Sequence, residues 1–144
     1  MHHAVPLLEG EGGGAIINIA STAALFGYPL RAPYAAAKWG MIGLTKTAAM
    51  ELGPRSIRVN AICPGSVVGP RIERVIEKEA AARGVSAQVI RDHYLRQTSM
   101  RTFIRPDDVA GLVVYLCAPS GARISGQVIG LDGHTETLAA YPFA

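Results

Sequence analysis

Three side chains stand at spacings that could form one proton-transfer site. Ser21 follows an apolar run, Tyr34 lies thirteen residues later, and Lys38 lies four residues beyond Tyr34. On a helix, residues four apart share one face and lie a turn apart. A free phenol loses its proton only at about pH 10, and a neighbouring ammonium stabilises the phenolate. With the Ser21 hydroxyl holding a substrate oxygen beside the phenol, these residues could move a proton on or off an alcohol oxygen.

Each of the three residues also has a simpler interpretation. A Tyr-x-x-x-Lys pair is common on exposed helix faces, where it contributes roughly a few tenths of a kcal/mol. Ser21 could satisfy backbone groups at the end of a strand. The spacing alone favours this simpler interpretation, so the surrounding elements have to decide between the two.

Short apolar, β-branched runs alternate along the chain with segments of helical period. The predicted strands are residues 15–20, 56–62 and 127–131. The predicted helices are residues 33–52, residues 71–98 with a break at 84–86, and a helix that begins at Asp107. This order implies right-handed crossovers and therefore an α/β fold, a partial Rossmann-like doubly wound parallel sheet of about three strands with flanking helices. Ligands of such sheets bind at the carboxyl ends of the strands, which here include Ser21 and Gly65.

Composition excludes several other classes of protein. The chain has 144 residues, 49% apolar and 17% charged, which indicates one buried core. The 14 basic and 11 acidic residues form no basic stripe, so we expect no nucleic-acid partner. No apolar stretch reaches membrane-spanning length and no signal peptide is evident, so we expect no membrane and a cytoplasmic protein. Cys63 and Cys117 lie in apolar runs without metal-ligand spacing, which predicts two buried free thiols and no metal.

Four ordered blocks resemble the short-chain dehydrogenase/reductase family. They are Ile-Ile-Asn-Ile-Ala-Ser at 16–21, Tyr-Ala-Ala-Ala-Lys at 34–38, Ile-Arg-Val-Asn-Ala-Ile-Cys-Pro-Gly at 57–65, and the C-terminal segments 124–127 and 131–133. Together they are far more specific than any one of them. The resemblance implies hydride exchange between NAD or NADP and the carbon of a small-molecule alcohol or carbonyl substrate.

The resemblance also implies roles for individual residues. Ser21 would orient the substrate oxygen and Tyr34 would be the general acid and base. Lys38 would stabilise the Tyr34 phenolate, and both Tyr34 and Lys38 would contact the cofactor, Lys38 at the nicotinamide ribose. Asn60 would be structural, bonding the neighbouring backbone.

The loop after the second strand carries the remaining implied contacts. Pro64, Gly65 and the Val67 backbone would lie against the nicotinamide, and residues 66–105 would form a mobile segment that covers the substrate. Gly69 stands where many family members have a threonine that touches the cofactor.

The family's first motif is missing from the sequence. Family members begin with a strand and a T-G-x-x-x-G-x-G turn that binds the pyrophosphate at a helix N-terminus. The glycines at 10–14 precede a strand, so they do not replace that turn. We therefore expect residues 1–144 to be about the C-terminal half of a single NAD(P)-binding domain, marginally stable and weak or inactive alone.

A non-catalytic role is the alternative. Family members pair two long helices across a dimer interface, and residues 33–52 are rich in small residues, so a truncated homo-oligomerisation or binding module would also explain this chain. The substrate is open as well. Four residues of the covering segment would suit an anionic substrate, although a solvated helical face also explains each of them: Arg71, Arg74, Arg91 and His93.

Overall fold

The computed structural model of the chain describes residues 1–136. The strands are β1 (Gly14–Ile19), β2 (Ile57–Pro64) and β3 (Val128–Leu131). The helices are α1 (Ala4–Gly10), α2 (Ala32–Leu52), α3 (Pro70–Arg83), α4 (Ala87–Arg96) and α5 (Pro106–Cys117), with single 3₁₀ turns at Thr22–Ala24, Gly53–Arg55 and Pro119–Gly121. Within these 136 residues, no helix combines the length and the apolar character needed to cross a membrane.

The three strands form one parallel sheet in the order β1-β2-β3. Ile16 is opposite Val59 across the first pair, and Ile62 is opposite Ile129 across the second. The predicted α/β fold with about three parallel strands is confirmed. The central strand β2 is buried along nearly its whole length, whereas β1 is only partly buried.

Helices cover both faces of the sheet. Ile57 and Val59 of β2 pack against Ala48 and Leu52 of α2 in one apolar cluster. Successive strand side chains point to opposite faces, and Arg58 reaches the other side, where its Nη1 donates to the Leu116 carbonyl of α5 at 2.6 Å. The sheet therefore lies between α2 and α5.

Asn60 ties the sheet to the segment before β3. Its side chain is fully buried, Nδ2 donates to the Ile124 carbonyl at 2.8 Å, and Oδ1 accepts from the Gln127 amide at 3.0 Å. Both polar atoms of the buried amide are thus satisfied by backbone groups, as the predicted structural role requires.

Helices α3 and α4 form a hairpin with an apolar cluster of its own, called here the α3–α4 hairpin (residues 70–96). Ile76, Ala80 and Ile90 are its buried residues. The predicted break between the helices is confirmed, since Gly84 ends α3 at a φ of +66° and the Ser86 hydroxyl accepts from the Val89 amide at 3.4 Å.

Two details predicted from the sequence are wrong. Cys63 is buried as expected, but Cys117 is exposed. Cys117 is the last residue of α5, and in that final turn Leu116 takes the fully buried position. Helix α2 begins at Ala32, which makes Pro33 its second residue instead of its first.

Candidate active site

Ser21 lies directly beyond the carboxyl end of β1, where it caps the 3₁₀ turn at Thr22–Ala24. Its hydroxyl oxygen accepts from the Ala23 amide at 3.2 Å. A hydroxyl that accepts one hydrogen bond still has its own proton to donate. Ser21 therefore does satisfy a backbone group at the end of the strand. This contact leaves its hydroxyl proton available for an oxygen atom in front of the sheet.

Tyr34 and Lys38 occupy successive turns of α2, as their spacing predicts. The Lys38 Nζ lies 5.8 Å from the centroid of the Tyr34 ring. It also donates to the Ile19 carbonyl at 3.1 Å, which anchors the ammonium to the end of β1. Nζ also donates to the Met41 Sδ at 3.7 Å. An ammonium has three donors, so these two contacts leave one for a phenolate or a ligand.

A cavity of about 200 Å³ lies at this end of the sheet and is called here the reaction cavity. Ser21, Tyr34, Gly65 and Val67 all line it. The fold thus brings together side chains from the end of β1 and the start of α2 with the loop after β2. Lys38 is outside the lining, on the next turn of α2 beyond Tyr34. Pro64 is the last residue of β2 and also does not line the cavity.

Cys63 lies just behind this site. Burial raises the pKa of its thiol, although a hydrogen bond with the Ser21 backbone lowers it; the negative charge of Asp132 raises it further and the Lys38 ammonium opposes that effect. The raised pKa keeps the thiol neutral at physiological pH, so we assign Cys63 no nucleophilic role.

The two glycines of the loop after β2 have structural explanations. A Cβ on Gly65 would lie 3.1 Å from the Asp132 Cα, so glycine allows this loop to pack on the turn after β3. Gly69 precedes α3 with a φ of +148°, a conformation that L side chains rarely adopt. A threonine at position 69 would be strained in this backbone conformation.

Several residues of the cavity wall were not predicted from the sequence. Tyr28 is the most informative of them: its loop leads directly into the helix that carries Tyr34, and the two rings meet edge to face at 6.5 Å. The position of Tyr28 just before the helix that carries the Tyr-x-x-x-Lys pair was the available signal. Thr22 and Arg31 are also unpredicted, whereas the other lining residues belong to the segment 66–105 that was expected to cover the substrate: Ser66, Ile72, Val75, Tyr94 and Gln97.

Tyr94 joins α4 to this wall. Its hydroxyl donates to Glu79 Oε2 at 3.2 Å, and Tyr28 lines the same cavity beside it. Burial, followed by the charge and hydrogen bonds of these neighbours, raises the pKa of Tyr94 well above its ordinary value. Tyr94 is therefore a neutral wall residue and not a general base.

The site suits the nicotinamide end of a dinucleotide. The Tyr34 hydroxyl, the Lys38 ammonium and the reaction cavity offer donors and space for a ribose and a flat ring. The sequence holds no T-G-x-x-x-G-x-G turn for the pyrophosphate. Among residues 1–136, no group of three or more His, Cys, Asp or Glu side chains is placed to hold a metal ion.

Known proteins with similar sequences are oxidoreductases. Residues 1–134 match the family model described as enoyl-(acyl carrier protein) reductase. The chain is 40% identical over 131 residues to a D-beta-hydroxybutyrate dehydrogenase of Rhizobium meliloti, covering 90% of this chain and 51% of that protein. It is 36% identical over 129 residues to a 3-oxoacyl-(acyl-carrier-protein) reductase of Thermotoga maritima, covering 90% and 48%.

Solved structures agree with this assignment. An actinorhodin polyketide ketoreductase with NADPH superposes with a TM-score of 0.80 at 35% identity, covering 86% of this chain and 48% of that one. L-sorbose reductase of Gluconobacter frateurii, with NADPH and L-sorbose, superposes with a TM-score of 0.80 at 27% identity, covering 92% and 51%. The chain thus spans about half the length of these relatives. Sequence blocks, parallel sheet and matched relatives agree, and the chain belongs to the short-chain dehydrogenase/reductase family.

Proposed function

We propose that this chain carries the proton-transfer residues of an NAD(P)-dependent oxidoreductase that interconverts an alcohol and a carbonyl compound. One observation carries the proposal: Ser21 and Tyr34 line the same cavity, and the Lys38 ammonium lies 5.8 Å from the Tyr34 ring. The relatives named for hydroxybutyrate and for 3-oxoacyl groups support this reaction class.

The three side chains divide the work on the substrate oxygen. Ser21 donates its hydroxyl proton to that oxygen and holds it beside the phenol. In reduction Tyr34 gives its proton to the oxygen as negative charge develops there, and in oxidation it takes the proton back. Lys38 stabilises the phenolate that reduction leaves, because its positive charge lies one helical turn away.

The cofactor supplies the hydride in reduction and accepts it in oxidation when it is bound. Lys38 and Tyr34 would contact its nicotinamide ribose, while Pro64, Gly65 and the Val67 backbone would form the wall against its nicotinamide ring. Residues 66–105 would cover the substrate; several of them, including Arg71 and Tyr94, line the reaction cavity. Either NAD or NADP fits this part of the site.

The decisive experiment supplies a pyrophosphate-binding half. We propose that residues 1–144 act as the C-terminal half of one NAD(P)-binding domain and have weak or no activity alone. A fusion would join the part of the Rhizobium meliloti relative that precedes its matched segment to this chain. Turnover of a ketone by the fusion, with little or none by the 144-residue chain, is the expected result.

Tyr34→Phe in this fusion tests the catalytic assignment. Removing the phenolic proton should lower kcat by about 10²–10⁴-fold, the usual contribution of general acid–base catalysis. Binding of the reduced cofactor, followed by nicotinamide fluorescence, should be retained. Tyr115→Phe is the matched control, because Tyr115 is an exposed residue of α5 that lines neither of the cavities described here. Undiminished turnover by Tyr34→Phe would show that the assignment is wrong.

Assembly through α2 is the second candidate role. Trp39, Leu44 and Met50 of α2 are exposed by 50%, 53% and 81%, and a Cβ on Gly40 or Gly43 would meet nothing within 4 Å. These exposed apolar side chains and small residues support the proposal of a homo-oligomer through this helix. Sedimentation with a cofactor titration separates the roles: a dimer that binds no dinucleotide favours a non-catalytic module.

A further inference from the structure

We propose that the reaction cavity continues into a second, basic cavity that binds an anionic group of the substrate, a carboxylate or a phosphate. This inference rests on the proposed function, because it places the reacting carbonyl of that substrate at Tyr34. It names the substrate class of the site.

The second cavity, called here the anion cavity, has a volume of about 600 Å³. Tyr28, Arg31, Arg71 and Tyr94 line both this cavity and the reaction cavity. Shared walls make the two cavities neighbours, so one molecule can reach from the catalytic tyrosine into the anion cavity.

Positive charge concentrates on the wall formed by α3. Arg71, Arg74 and Lys78 follow one another at spacings of three and four, which places them on one face of the helix. All three line the anion cavity, and Arg31, directly before α2, also lines it. No acidic side chain among residues 1–136 forms an ion pair with any of these four residues.

Glu79 also lines the anion cavity, but its carboxylate is already engaged. One oxygen lies 2.8 Å from Arg83 Nη2, and the other accepts from the Tyr94 hydroxyl at 3.2 Å. Its charge is thus directed towards Arg83 and Tyr94, and the four basic residues keep their charge for a ligand.

The structure also separates these residues from a general basic surface. Arg91, which the sequence grouped with Arg71 and Arg74, pairs with Glu73 and lies over the Phe103 ring at 5.8 Å. It lines neither cavity. A guanidinium presents a planar pair of donors that matches a carboxylate or a phosphate, so Arg71 and Arg74 suit an oxyanion better than a neutral group.

The test compares charged substrates with their neutral counterparts in the fusion enzyme. One arm uses a 3-oxo acid and its methyl ester, and the other uses a ketose phosphate and the free ketose. We expect kcat/KM to be about tenfold or more higher for the charged member in at least one arm, the scale of one charge-assisted hydrogen bond. The arm that shows the preference identifies the anion as carboxylate or phosphate. Salt should reduce the preference, because the basic residues are exposed.

Arg74→Gln should lower the ratio of charged to neutral kcat/KM by about tenfold, since it removes one guanidinium from the cavity. Arg123→Gln is the matched control: Arg123 is exposed, lines neither cavity and carries the same charge. Equal kcat/KM for the charged and the neutral substrate in both arms would overturn the proposal. Equal changes of the charged-to-neutral ratio in Arg74→Gln and Arg123→Gln would also overturn it.

A binding measurement keeps this result independent of turnover. Calorimetric titration of the fusion bearing Tyr34→Phe with succinate and with inorganic phosphate should show binding that weakens about tenfold when Arg74→Gln is added. Anion binding together with undiminished Tyr34→Phe turnover would contradict the proposed catalytic site and leave the anion site standing. Ketone reduction that needs Tyr34 but shows no preference for anionic substrates would support the proposed catalytic site and contradict the anion site.

Discussion

The molecule has two regions that are built in different ways. The sheet body, here β1–β3 with α2 and α5, is joined by the backbone ladder of three parallel strands and by the buried Asn60 side chain. The α3–α4 hairpin has no strand, and its packing centres on Ile76, Ala80 and Ile90. Ser21 and Tyr34 belong to the sheet body, whereas Arg71 and Arg74 belong to the hairpin.

This difference separates the two tasks proposed for the site. Proton transfer requires fixed geometry, and the sheet body provides a cooperative network of long-range contacts. The proposed substrate selection would lie on a smaller unit that can open with less disruption, since local stability varies across a protein. Substitutions in the two regions should therefore change different measured quantities.

The largest expected difference comes from one substitution made in each region. Ile57 of β2 and Ile76 of α3 are both fully buried isoleucines. Ile57→Ala should lower the free energy of global unfolding by about 2–5 kcal/mol, because it leaves a cavity in the cluster between β2 and α2. Ile76→Ala should lower it less and should instead increase amide hydrogen exchange throughout α3 and α4.

Urea unfolding and hydrogen exchange measured on the same samples check this prediction. Exchange that rises equally in the strands and in the hairpin of the Ile76→Ala variant would show that the two regions unfold as one unit. The sheet body and the hairpin would then be separate in structure but not in stability.

An intermediate effect is expected at Asn60. Asn60→Ala leaves the Ile124 carbonyl and the Gln127 amide without their partner, which should lower the free energy of unfolding by about 2–4 kcal/mol. Asn18→Ala is the control, because the Asn18 amide donates to another side chain, the Thr45 hydroxyl, at 2.8 Å. Its loss should cost about 1 kcal/mol. Urea titrations that rank the two variants in the opposite order would contradict the role given to Asn60.

The smallest expected effect is a difference in thiol reactivity that reports on the sheet body. Exposed Cys117 should react with a maleimide quickly, and buried Cys63 only when the sheet body opens. Ile57→Ala should accelerate the Cys63 reaction, whereas Ile76→Ala should leave its rate nearly unchanged. Mass spectrometry of the labelled peptides distinguishes the two sites, and equal acceleration by both variants would contradict the separation of the regions.

Cys63 also predicts a direction for the pH dependence. Burial raises its pKa above the ordinary 9.0, so the unfolded chain loses this proton at a lower pH than the folded chain does. The free energy of unfolding should therefore fall as the pH rises past 9.0 towards the folded-state pKa. Cys63→Ser should lack this component of the decline when both proteins are unfolded in urea at several pH values.

The sequence predicted most of the sheet body because its signals are local. The strand periods and the helix that carries Tyr34 and Lys38 can each be recognised within a few residues, as can the Gly84 break in the hairpin. The convergence of Arg31 with Arg71 and Arg74 could not be recognised in this way, because it depends on how α2 and α3 meet in space. The prediction that Cys117 is buried was wrong for a related reason. An apolar stretch of sequence does not show which residue of a final helical turn faces the core.

The tyrosine pair at the boundary of the two cavities has one further consequence. Tyr28, in the loop before α2, and Tyr94 of α4 both line the two cavities, so they lie where the sheet body meets the hairpin and where the substrate would pass. The spacing between the proposed reaction site and the proposed anion site then depends on how these two rings are placed. The pair would therefore favour substrates in which the distance between the carbonyl and the charged group matches the distance between the two sites.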